Sequence, residues 1–147
     1  MNIIKKLEEL SNANGWLFVH STEFGQNLFD EILETNQTVL MIESPLSFSD
    51  DSDKYGNLIK RKVSINKCQL LRSSDISEPI GNATGYSHDS GRYSKIIEPL
   101  KNQEINVLRR GLSECDCKLT QFKFEDVYNI LDYNLDGLLI NFIYECD

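Results

Sequence analysis

Three stretches carry residue types that could do chemistry. His88-Asp89-Ser90 sets an imidazole, a carboxylate and a hydroxyl side by side, the three groups of a nucleophilic hydrolase. A working triad needs those groups to converge from separate segments, and neighbours on an extended backbone point apart. Gly85-Tyr86-Ser87-His88-Asp89 also misses the nucleophile elbow, because Asp89 stands where its last glycine belongs. A Gly/Ser loop with a solvated histidine accounts for the same residues.

Asp132-Tyr133-Asn134-Leu135-Asp136-Gly137 matches the first half of a calcium loop, including the glycine at its sixth position. The twelfth position is Ile143, where a bidentate glutamate is needed, and the residues after Gly137 alternate as a strand. Turn chemistry explains the motif without a metal. The third stretch is Cys115-Asp116-Cys117, which lacks the two-residue spacer of a zinc knuckle, and Cys68 and Cys146 stand alone. The expectation is four free thiols in core or strand positions. His20 and His88 have no second ligand at metal-binding spacing, and no phosphate loop or dinucleotide fingerprint is present. The sequence therefore predicts no enzyme, no catalytic or metal site and no cofactor.

The 147 residues, 40% apolar, suit one α+β domain over 1–147 with one core. A net charge of -8 argues against duplex binding, yet it suits DNA passing nearby, since acidic walls repel phosphate. Residues 2–10 mix two basic and two acidic residues, unlike a leader, and no run approaches the roughly 18 apolar residues of a membrane span. The expectation is synthesis in a cytoplasm and no membrane partner.

Hydrophobic periodicity lays out the elements. Ile3, Ile4, Leu7 and Leu10 share a helical face over 2–13, which Asn14-Gly15 ends. A strand at 16–19, a short helix at 27–34 and a buried strand at 38–42 follow, the last ended by Pro45. Residues 47–56 read as a polar, acidic loop, and 58–71 as a strand. The segment 73–91 reads as a long irregular loop, functional or ordered by a partner. Tyr93 to Glu114 is the long helix, with Ile97, Leu100, Val107 and Leu108 inward and Pro99 near its start. Residues 119–131 and 138–144 form a C-terminal hairpin around Asn134-Leu135-Asp136-Gly137. The fold expected is a mostly antiparallel sheet carrying an N-terminal helix and one long helix.

The strand at 58–72 is basic within an acidic chain: Lys60, Arg61, Lys62, Lys67 and Arg72. It reads either as a strand that is solvated or protects an edge, or as an electrostatic contact. In the second reading it meets acidic residues such as Asp50, Asp51 and Asp53 of a neighbouring copy, while the 73–91 loop, with Tyr86 and His88, reaches onto that neighbour.

The opening helix with Gly15-Trp16-Leu17-Phe18-Val19-His20, the strand Val39-Leu40-Met41-Ile42 ending at Pro45, the single long helix after a variable loop, and the ending 127–142 together resemble small neck and tail-completion proteins of tailed phages and prophages. The terminal hairpin, with Asp132, Asn134, Asp136, Gly137 and Phe142, is the most specific of these features. The resemblance implies a structural virion protein of the tail-terminator or head–tail joining type. It implies self-assembly into a hexameric or larger ring, contacts with neighbouring neck or tail-tube proteins, and DNA passing through without specific binding. It supplies no catalytic residues. The competing reading is a small acidic intracellular binding protein, of immunity or adaptor type, that caps a basic partner.

Overall fold

Helix α1, Ile3–Ala13, starts where Asn2 caps it: the Asn2 side-chain oxygen accepts the N–H groups of Ile4 and Lys5 at 3.1 and 3.2 Å. It ends at Asn14, and Gly15 takes up the left-handed conformation at φ +70°. Ile3 and Leu7 are buried, with Ile4 and Leu10 packed at the margin of the same core. In the computed structural model the described residues are 2–22, 37–74, 77–82, 87–113, 117–130 and 135–146. The short helix expected at 27–34 lies outside them.

Strand β1, Leu17–Thr22, pairs in parallel with β2, Val39–Ser44. Val39 to Ile42 are buried at every position, as an unbroken apolar run with both faces covered requires. The long strand β4, Leu58–Ser73, runs antiparallel to β2 along its second half and to β3, Ser47–Ser52, along its first half. On its other side it pairs over most of its length with β6, Leu135–Cys146, which pairs in turn with β5, Cys117–Ile130. The order is β1-β2-β4-β6-β5 with β3 beside β4, giving a single α+β domain with a mostly antiparallel six-stranded sheet.

The helical run 93–112 opens with two π-helical segments, Tyr93–Ile97 and Leu100–Glu104, and continues as α2, Ile105–Leu112. Pro99 lies inside this run and not near its start. A proline there removes one N–H and crowds the preceding turn. The wider turns absorb it, with the Glu98 N–H reaching the Tyr93 carbonyl and the Ile105 N–H the Leu100 carbonyl. Ile97, Leu100 and Leu108 are buried as the periodicity requires, while Val107 sits at the margin. Gly111 has a packing role, because a Cβ there would meet the Leu10 side chain at 2.3 Å.

The main core joins these helices to Leu40, Ile42, Val63, Ile65, Leu70, Leu138, Ile140, Phe142 and Tyr144 on one face of the sheet. A smaller cluster of Val19, Val39, Met41, Leu71 and Leu135 occupies the other face.

Three further expectations are corrected. Residues 47–52 are a strand: the Asp53 carboxylate accepts the N–H groups of Tyr55 and Asn57, both at 2.9 Å, and Gly56 at φ +83° closes the turn that pairs β3 with β4. The basic strand is therefore interior and protects no edge. Gly137 belongs to β6 and not to a turn; a Cβ there would lie 1.8 Å from the Leu70 carbonyl oxygen, so glycine permits the close approach of β4. The third concerns the thiols: Cys117 and Cys146, directly opposed on β5 and β6, form a disulfide. Cys68 is a free thiol, pushed up in pKa by complete burial, and Cys115 lies outside the described residues.

Candidate interaction surface

The β3–β4 hairpin, residues 47–64, forms an arm whose β3 side is solvent-exposed at every position. It displays large apolar side chains: Phe48 is 61% exposed, Tyr55 78%, Leu58 55% and Ile59 57%. Scattered single apolar groups are normal on a protein surface, but four on one hairpin are a concentration beyond such scatter. The sequence signal was available in the Phe48 alternation with Ser47 and Ser49 and in the Asp53-to-Asn57 turn, but the acidic residues made 47–56 read as a loop.

The basic residues of β4 find their acids within the chain. Arg61 donates two hydrogen bonds to Asp50, at 2.7 and 2.9 Å, and this contact holds the Asp50 carboxyl below and the Arg61 guanidinium above their usual ranges. Lys60 lies 2.8 Å from Glu145, and Lys62 lies 4.0 Å from the same oxygen. Lys118 stands opposite Glu145 on β5, so three lysines face one carboxylate, whose pKa is lowered first by the Lys60 hydrogen bond. Lys67 pairs with Glu43 at 3.9 Å, and Arg72 binds Glu104 and, at 2.9 Å, the Thr38 hydroxyl. Asp53 is held low mainly by the Asn57 backbone hydrogen bond, and Asp51 stands opposite Lys60 in the ladder. The acidic complement expected from a neighbouring copy is thus supplied by the same chain.

The remaining predicted positions separate. His88 begins a short 3-10 turn, His88–Ser90, in which the Ser90 hydroxyl contacts that of Ser87 at 3.1 Å and Asp89 is exposed. His20 hydrogen-bonds the Ser44 hydroxyl at 2.9 Å across β1 and β2. Tyr86, Asp132, Asn134 and the His88 side chain lie outside the described residues. Within the 73–91 segment, the Pro79 and Ile80 carbonyls accept the Arg92 and Tyr93 N–H groups, both at 2.9 Å, and Glu78 pairs with Lys95 at 2.8 Å. Those bonds anchor 78–80 to the start of the long helical run.

At the opposite corner of the sheet, a shallow cleft opens between that run and β5. Tyr93, Ile97, Phe124 and Leu138 line it, with Lys101, Glu125 and Asp126 at its rim. Lys101 donates to the Tyr93 hydroxyl at 2.9 Å, which raises the lysine pKa. The Tyr128 hydroxyl donates to Asp126 at 2.8 Å, and partial burial pushes that phenol up. Among the described residues no three His, Cys, Asp or Glu side chains are grouped to hold a metal ion, and no helix is long and apolar enough to cross a membrane. Protein-family models and curated proteins include no match to this chain.

Proposed function

We propose that this chain is a structural protein of a tailed-phage virion that assembles into a ring at the head–tail neck or the tail end, in the manner of tail-completion proteins. The observation that carries the reading is the arm, with four large apolar groups presented to solvent on a hydrogen-bonded hairpin. Groups held that way bury against protein at low entropic cost, because the strands are already ordered. The resemblance of the sequence to neck and tail-completion proteins supplies the context. The net charge of -8 suits a channel that DNA traverses without sticking, since a basic lining would bind phosphate.

Electron microscopy of the purified full chain at high concentration tests the proposal. Closed rings with an open centre are the expected result. Particles no larger than a monomer under all conditions would overturn it and favour a binding protein that caps a basic partner.

A further inference from the structure

The geometry points to a head-to-tail contact in which the β3–β4 arm of one copy docks in the β5 cleft of the next. This inference rests on the assembly reading above and names the surfaces that such assembly would use.

Residues 47–64 contain four basic and three acidic residues, whereas the remainder of the chain has eleven basic and twenty acidic. An arm of net +1 thus projects from a body of net -9. The three lysines facing Glu145 sharpen the contrast at the base of the arm. At the cleft, Glu125 and Asp126 are exposed, and Lys101 offsets only one of them. Opposite potentials of this kind select partner and orientation more than they supply affinity.

Tyr55, Leu58 and Ile59 lie at the outer end of the arm beside the exposed Lys54, an apolar end with a basic neighbour. The cleft offers the half-buried Phe124 beside the exposed Glu125 and Asp126, over the buried Ile97 and Leu138.

In the ladders the arm lies against the 142–146 end of β6 and on the β3 side of β4, while the cleft lies at Leu138 and on the β5 side. Eight residues of strand separate Leu138 from Cys146, roughly 26 Å at about 3.3 Å per residue. The arm extends farther still, so no chain can place its own arm in its own cleft. A contact between two different surfaces of identical subunits propagates, closing into a ring when the rotation permits.

Light scattering of the full chain and three sets of surface variants tests the inference. Tyr55→Asp with Ile59→Asp is expected to abolish assembly while leaving the melting temperature near that of the unaltered protein. Lys54→Glu, and separately Glu125→Lys, are each expected to weaken assembly about tenfold at low salt, and their combination to restore it. Restoration by the combined swap also guards against variants that simply misfold. Unaltered assembly in all arm variants would overturn the docking inference and leave the ring proposal standing. Loss of assembly by arm variants alone, with cleft variants neutral and no rescue, would overturn it in favour of arm-to-arm pairing. A chain that never assembles would overturn both.

Discussion

The Arg92 Nε stands 3.5 Å from the Asp136 Oδ2, with 6% and 0% of the two side chains exposed, so the helical run and the first residues of β6 are joined by a buried ion pair. Arg92 also lies over the Tyr128 ring at 5.6 Å, and Asp136 stands opposite Arg72 in the β4–β6 ladder. Removing one partner of such a pair strands the other charge away from water, at a cost of about 3–5 kcal/mol. Asp136→Ala and Arg92→Ala are each expected to lower the stability measured in urea by about that amount. Arg92→Met combined with Asp136→Leu should recover much of the loss. Additive losses in the double variant would show that the two groups act independently.

Phe142 is buried in the main core and stacks on Phe122, with ring centroids 5.9 Å apart. Phe142→Ala should cost about 3–5 kcal/mol, a large share of the roughly 5–15 kcal/mol available to a domain. Gly137→Ala should be comparably damaging, since its methyl would occupy the space of the Leu70 carbonyl. Thermal melts followed by circular dichroism read both effects, and a melting temperature unchanged for either would refute the packing described.

The β5–β6 pair was legible in the sequence because alternation at 138–144 forces one face inward, and the run at 38–42 was legible because only a doubly covered strand is apolar at every position. The Arg92–Asp136 pair was not. Asp136 sits in a motif rich in turn residues, and nothing local tells a turn aspartate from one buried against a residue 44 positions earlier. Pro99 misled in the same way, since a proline is cheapest at a helix start and the π-helical turns that accept it have no sequence signature. For the candidate site, the basic residues of β4 were visible but their partners were not. Glu145 and Asp50 meet them only through strand register.

The Cys117–Cys146 bond closes a segment with a sequence separation of 29. On the loop-entropy model such a closure stabilises by roughly 3.5 kcal/mol at room temperature, acting on the unfolded chain. A reductant should therefore lower the melting temperature of the unaltered protein and leave that of Cys117→Ser with Cys146→Ser unmoved. Intact mass under non-reducing conditions should be two hydrogens lighter than the reduced chain. Equal masses, or equal sensitivity of both proteins to reductant, would contradict the pairing.

Acid should destabilise the arm and its attachment first. The carboxyls of Asp50, Asp53 and Glu145 are held below their usual pKa by Arg61, by the Asn57 backbone and by Lys60 respectively. A folded-state pKa below the unfolded one means that the contribution is full above about pH 5 and is lost as the pH falls through the ordinary carboxylate range, near 4, towards the folded values. Asp50→Asn with Glu145→Gln should flatten the decline in melting temperature between about pH 5 and pH 3, with only a small cost at neutral pH. An acid limb as steep as that of the unaltered protein would place the responsible carboxylates elsewhere.

Hydrogen exchange of the full chain, compared at low and high protein concentration, tests most directly whether this molecule acts by joining to copies of itself through its arm. Slowed exchange at high concentration, confined to residues 47–64 and to the β5 residues around 124–126, is the predicted result. Identical exchange in those segments at every concentration, or slowing elsewhere with the arm unaffected, would contradict it.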